Sequence, residues 1–502
     1  MDETSLFNQM YQPDVLTCLA DLSSDEVFTP PTVADAMLDL LPKSIWSDPS
    51  VKILDPACKS GVFLREAAKR FIDGEKEIYP DLQERIDHIF HEQLYGIAIS
   101  ELTSLMSRRS VYCSKYPNGK FSITHFDNPT GNIIFHNIHH TWENGSCVFC
   151  GASQSQYDRS PEKETHAYEF IHTLHPEEIW HMKFDVIIGN PPYQLSDGGA
   201  RASAKPIYQE FVMNAIKLRP KYLSMIIPAR WYAGGKGLDD FRNQMMHDNR
   251  ISHITDFFDS TECFPGVDIS GGICYFLWNR DRTGDCEIES HINGKVSVSV
   301  RPLLEPGNDL FIRFNNSVSI IKKIMSKHEP SFADAISARK PFGLSTSVKI
   351  HEKKVATDDV YIYAYPSNGY VSRHAVTQNK DWINKIKVCV SYAYGERGSF
   401  PYLIIGKPFI APAGTCCSET YLVIRTCDSI NEAENVISYM KTKFFRFLVL
   451  QLKNTQHATK NVYQYVPMQN FSESWTDKKL YEKYGLSSDE IEFIEAMIRP
   501  MA

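Results

Sequence analysis

Three short, largely apolar runs, each followed by a polar turn and an amphipathic stretch, constrain the fold of this chain more than any other feature. They are Val51–Leu54, Leu94–Ile99 and Phe184–Gly189. A strand covered on both faces reads as a continuous apolar run, because neither face meets water. Residues 62–72 place Phe63, Leu64, Ala67 and Phe71 on one helical face, and Tyr208, Phe211, Val212, Ala215 and Ile216 recur at helical spacing. Further strands are expected at 222–227, 254–258 and 273–278. Strands alternating with helices predict an α/β domain with a mostly parallel sheet and a ligand site at the carboxyl ends of its strands. Asp55 and Asn190 are expected at two such ends.

The segment VFTPPTVADAMLDLLP, residues 27–42, opens with helix-start chemistry: Thr29 as cap and Pro30 in the first turn. Near residue 300 the alternation fades into mixed runs rich in Tyr, Ser, Lys and Asn. At 502 residues the chain is long for one core. The division read from it is an N-terminal extension over 1–26, an α/β domain over 27–300, and a C-terminal α+β domain over 301–502. A closing helix is expected from Ser487 or Ser488. The acidic N-terminus lacks the basic start and apolar core of a signal peptide, and no apolar run approaches the roughly 20 residues of a membrane span. A cytoplasmic protein with no membrane partner is expected, its 12 cysteines being thiols or metal ligands rather than disulfides, with Cys416 and Cys417 in the core or a strand. The net charge of −8 weighs against nucleic acid. Basic residues do recur between Lys322 and Lys460, including Lys323, Arg339, Lys340, Lys349, Lys353, Lys354, Lys443 and Arg446, and define a candidate cationic face.

Asp55-Pro56-Ala57-Cys58-Lys59-Ser60-Gly61 reads as a turn between a strand and a helix, which brings backbone amides and a helix N-terminus up to a ligand. Asn190-Pro191-Pro192-Tyr193 follows a buried strand directly. Two prolines fix φ and remove donors, leaving carbonyl oxygens beside the Asn190 side-chain oxygen. Such an acceptor pair suits an amino group: it holds both hydrogens, favours a localised lone pair and stabilises positive charge developing on the nitrogen. Tyr193 adds a stacking face worth about 1–3 kcal/mol per base. Cys147-Val148-Phe149-Cys150-Gly151 is a single knuckle inside an insertion over 113–151. Its two thiolates suit a structural Zn²⁺, with Cys113, His140, Cys147 and Cys150 as the preferred ligands and His136 and His139 as alternatives.

FDVIIGNPPYQ resembles motif IV of amino-methyltransferases, LDPACKSGVFL their motif I, and VFTPPTVADAM the motif preceding it in the gamma class. KPIYQEFVMNAI and LSMIIPARW resemble the next two. The order is that of gamma-class N6-adenine DNA methyltransferases of restriction–modification systems, over roughly residues 25–280. The C-terminal part, with SETYLVI and YMKTKFFRFLVLQLKN, is similar to their target-recognition portion. The resemblance implies a Rossmann-like methyltransferase domain with S-adenosyl-L-methionine as cofactor and double-stranded DNA as partner. It places Thr29 and Pro30 near the cofactor's carboxylate, and Asp55, Ala57, Ser60 and Gly61 along its methionine and ribose. Asn190 and the Pro191 carbonyl would take the target amino group, with Tyr193 on the extruded base. Lys59 departs from the pattern, standing where glycine is usual. Ala98 stands where an acid usually holds the ribose, with Glu101 three residues on. Asp127 is the candidate for the cofactor's adenine, and Asn132 the alternative.

Length and motif order favour a DNA substrate, adenine or cytosine-N4, over an RNA adenine or protein glutamine one, and the resemblance implies adenine N6. A catalytically silent DNA-binding subunit is the reading from another class. With about 26 residues before VFTPP and no nuclease spacing, a restriction or helicase activity is expected on a separate subunit.

Overall fold

The computed structural model describes residues 27–158, 167–195, 205–357, 359–395, 400–453 and 457–501; the expected extension over 1–26 lies outside them. The chain divides into two compact units, Met1–Asp309 and Leu310–Ala502.

The first unit is built on a nine-stranded sheet. Its strands are β1 (Ile53–Cys58), β2 (Leu94–Ala98), β3 (Ile133–Ile134), β6 (Val186–Gly189), β7 (Tyr222–Pro228), β8 (Ile251–Phe257), β9 (Ile273–Asn279), β10 (Cys286–Ile292) and β11 (Lys295–Arg301). A separate hairpin, β4 (Trp142–Glu143) with β5 (Ser146–Cys147), lies in the insertion. Across the sheet the order is β11-β10-β8-β9-β7-β6-β1-β2-β3. The run β3-β2-β1-β6-β7 is parallel throughout, whereas β9 lies antiparallel between β7 and β8. β1, β2, β6 and β7 are buried at every position, as their continuous apolar runs predict. From β1 the chain builds outward to β2 and β3, then returns to place β6 on the other side. That reversal opens a crevice at the carboxyl ends of β1 and β6, where open α/β sheets bind their ligands.

Two boundaries differ from expectation. β1 continues through Asp55, Pro56 and Ala57 to Cys58, where the sequence implies a turn. Its register against β2 shifts between Asp55 and Cys58, and Pro56 falls inside that irregular stretch, where a missing N–H breaks no ladder bond. The N-terminal helix, α1 (Pro31–Asp39), is capped by Pro30 with no side-chain hydrogen bond; Thr29 is used elsewhere. After β1, Gly61 takes a left-handed φ of 74° and starts α2 (Val62–Gly74). A Cβ on Gly61 would stand 3.0 Å from the Ser107 and Val111 side chains and 3.1 Å from the Ser107 backbone. Helix α3 spans Leu82–His88, α4 Glu101–Tyr112, α5 Gln154–Tyr157, α6 Tyr208–Lys217 and α7 Asp239–Met246. No described helix is long and apolar enough to cross a membrane.

The second unit is α+β. It holds two three-stranded sheets and five α-helices among the described residues. Cys416 and Cys417 lie buried in a strand over Thr415–Cys417, and Ser487 caps the closing helix, Ser488–Met497, through a capping box with Glu490. Part of the basic composition is spent internally. Arg446 is fully buried and donates to the Arg499 and Lys441 carbonyls, Lys323 pairs with Glu490 at 2.6 Å, and Arg339 pairs with Glu419 at 3.0 Å. Lys349, Lys353, Lys354 and Lys460 remain exposed.

Candidate active site

At the crevice a cleft of about 210 Å³ is lined by Thr29, Asp55, Ala57, Lys59, Ser60, Gly61, Val62, Phe63 and Asn190. Of the cofactor residues expected from sequence, Thr29, Asp55, Ala57, Ser60 and Gly61 share this cleft with Asn190. Pro30 is the cap of α1 and does not line it. Asp127 is exposed in the loop leading to β3. Asn132 donates through Nδ2 to the Phe90 and His91 carbonyls, a local tie that uses up its donors. Glu101 is exposed at the start of α4, a helix capped by Ser100 with Thr103.

Asn190, 3% exposed, is the best-defined side chain here. Its Nδ2 donates to the Val27 carbonyl at 3.0 Å and to Thr29 Oγ1 at 3.0 Å. A backbone carbonyl only accepts, so the amide must turn its nitrogen toward Val27 and its oxygen the other way. That oxygen, Oδ1, is buried without a hydrogen-bond partner.

Asp55 sits beside it, 2% exposed, accepting the Ala57 N–H at 3.1 Å. Burial pushes its carboxyl up to about 7, and the Ala57 amide and the Lys59 charge only partly oppose that. Gly189 makes room for it: a Cβ there would stand 2.7 Å from Asp55 Oδ1. Lys59 is a buried cation, 6% exposed. Its Nζ donates to the same Val27 carbonyl at 3.0 Å and lies 5.9 Å from the centre of the Tyr193 ring. Val27 therefore joins the two loops through one oxygen. No sequence signal marks it, because the group at work is a backbone carbonyl.

Tyr193 is placed inward, 9% exposed and part of the apolar core with Phe257, Phe264 and Tyr275. Burial raises its hydroxyl well above the usual range, so it stays protonated. Asn190 lies close enough to oppose that shift, although neither its Oδ1 nor the hydroxyl meets hydrogen-bond geometry. Pro191 and Pro192 are buried beside it. After Tyr193 the chain turns back, and Ile207 N–H donates to the Tyr193 carbonyl at 3.2 Å.

Away from this cleft, His140, Cys147, Cys150 and His172 bring four ligand atoms within 4.8 Å of one another, a group able to hold a metal ion. Cys113 does not belong to it. That residue is exposed and ends α4 with a φ of 60°, so its position follows from the helix terminus. His172, 22 positions beyond the knuckle, carries no spacing signal linking it to the cysteines.

Residues 92–264 match the family described as Eco57I restriction-modification methylase, and residues 6–141 match N-6 DNA Methylase. The chain is 40% identical over 311 residues to an uncharacterized adenine-specific methylase of Mycoplasma pneumoniae, covering 56% of this chain and 74% of that protein. Among solved structures, a nuclease-deletion mutant of the Type ISP restriction-modification enzyme LlaGI with a DNA substrate mimic is 12% identical at a TM-score of 0.50, over 91% of this chain. This chain spans 54% of its length, about half. The Type IIL restriction-modification enzyme MmeI in complex with DNA is 10% identical at a TM-score of 0.44, over 90% of this chain and 65% of that one.

Proposed function

The chain belongs to the adenine-specific DNA methylase family, and from that premise we propose that its cleft takes S-adenosyl-L-methionine and presents Asn190 to the N6 amino group of an adenine turned out of double-stranded DNA. The orientation of Asn190 carries this reading. Its Nδ2 is committed to Val27 and Thr29, while Oδ1 is buried and unmatched. An unmatched buried acceptor costs about 1–3 kcal/mol, which an incoming N–H offsets.

When bound, the cofactor supplies an electrophilic methyl group. Asn190 Oδ1, with the Pro191 carbonyl as second acceptor, holds the amino hydrogens, keeps the lone pair on nitrogen and stabilises the positive charge that grows there. The donor set fits a ligand carrying both charges: Asp55 offers a buried anion to the cationic part, Lys59 a buried cation to a carboxylate. Extrusion of the base costs a few kcal/mol, returned by stacking and hydrogen bonds. A separate restriction or helicase subunit would act alongside, in line with the restriction-modification description of the matched family.

The direct test is to sequence modified bases in DNA from cells producing the chain. N6-methyladenine in a defined sequence context is the expected result; N4-methylcytosine, or unmodified DNA despite folded protein, overturns it.

Asp55 gives a pH prediction. With its carboxyl raised to about 7, the protonated form predominates below that pH and cannot face a cation. Cofactor affinity should rise as pH goes from 6 to 8, with proton release on binding, and Asn at this position should flatten the dependence. Stability runs the other way. A carboxyl raised in the fold contributes stability that is complete below its unfolded value and lost as pH rises through about 7. The wild type should therefore lose stability relative to Asp55→Asn between pH 5 and 8. Denaturant titrations of both proteins across that range check it, and parallel pH profiles would contradict it.

A further inference from the structure

We propose that His140, Cys147, Cys150 and His172 form a closed Cys₂His₂ site for a structural Zn²⁺ that braces the segment following the catalytic loop. The four ligand atoms come within 4.8 Å of one another, and the measured separations suit one shared ion. Cys150 Sγ lies 3.4 Å from His140 Nδ1, and His172 Nε2 lies 3.2 Å from the same nitrogen. A tetrahedron with Zn–S of about 2.3 Å and Zn–N of about 2.0 Å has edges of about 3.3–3.8 Å. Thiolate with imidazole selects zinc over magnesium or calcium, and four protein ligands leave no open position, which marks the site as structural.

The surroundings support the assignment. His172 Nδ1 lies 2.8 Å from the Tyr168 carbonyl. An acceptor there requires the proton on Nδ1, which frees the Nε2 lone pair for a metal, the usual second partner of a metal-bound imidazole. The knuckle closes through Gly151 N–H donating to the Cys147 carbonyl at 2.9 Å, with Gly151 at φ 70°. Trp142 stacks on His140 at 4.9 Å, Tyr157 meets it edge-on, and Phe149 meets His172. These rings pack around His140, Cys147 and Cys150, which are buried, while His172 is half-buried.

The ion would join two stretches distant in sequence, the β4–β5 hairpin and residues 168–172, and both touch elements that follow Tyr193. Phe170 stacks on Phe211 of α6 at 5.9 Å, and its carbonyl accepts from the buried Asn214 at 2.8 Å. The Lys205 ammonium rests against Gly151, where any Cβ would collide with it. Lys205 also accepts the Leu195 N–H at 3.0 Å, two residues after Tyr193. The metal would thus hold the outgoing arm of the catalytic loop. The site stands independently of methyl transfer.

Metal content of the wild-type protein, purified without chelator, tests the proposal. About one zinc per chain is expected, with an X-ray absorption shell of two sulfur and two nitrogen neighbours. Cys113→Ser should keep the metal, whereas His172→Ala and Cys150→Ser should lose it. Folded wild type with less than about a tenth of an equivalent, a Cys147–Cys150 disulfide in place of two thiolates, or full zinc in Cys147→Ser/Cys150→Ser would each overturn it. Cobalt substitution of the wild type gives a reading independent of any variant: a thiolate charge-transfer band supports the site and its absence rejects it.

Discussion

Asn190→Ala should slow methyl transfer by about 10²–10³-fold, the usual effect of removing one preorganised polar contact to a developing charge. Cofactor affinity should fall much less. The variant loses the acceptor and also the two donations that hold Val27 and Thr29, so the cleft wall loosens, but Asp55, Lys59 and the loop to Gly61 remain. Asn190→Asp keeps an acceptor oxygen and should retain more activity than the alanine variant. Single-turnover rates on unmethylated duplex, read beside calorimetric cofactor titration, separate the two effects. A wild-type rate in Asn190→Ala with intact folding would remove Asn190 from the chemistry.

Gly61→Val should be the most destabilising single change near the site. A left-handed conformation costs a residue with a side chain roughly 1–2 kcal/mol. The new methyl groups would also be driven into Ser107 and Val111, which Cβ alone approaches to 3.0 Å, and overpacking of this kind costs about 1–3 kcal/mol. The expected loss is therefore roughly 2–5 kcal/mol, together with cofactor binding, because Gly61 sets the entry of α2 into the cleft. Gly294→Val is the matched control. Its φ is 72° with nothing within 4 Å of its Cβ, so only the conformational part should appear. Equal melting-temperature losses in the two variants would show that the crowding at Gly61 carries no weight.

The central sheet was legible because β1, β2, β6 and β7 are buried on both faces and so read as continuous apolar runs. β10 and β11 were not. In Cys286–Ile292 buried and exposed positions alternate around two glutamates, and in Lys295–Arg301 the valines at 296, 298 and 300 are exposed, so the pattern looks like the edge of a domain. At the cleft, Asp55 and Asn190 announced themselves through motif and strand context. Lys59 stood out only as a departure, and what it does depends on the carbonyl of Val27, 32 positions earlier. His172 meets His140 and the knuckle only after the intervening chain has folded back, so adjacency in sequence carried no trace of it.

The antiparallel placement of β9 has a consequence for synthesis. β7 and β8 precede it in the chain, yet each pairs with β9 and not with the other. Until Ile273–Asn279 emerges from the ribosome, each therefore keeps an unpaired edge, and exposed edges of that kind recruit foreign strands. A nascent chain or truncated fragment ending before Ile273 should aggregate, whereas one extending past Asn279 joins β7 to β8 through β9 and leaves only the outer edge of β8 to be covered by β10.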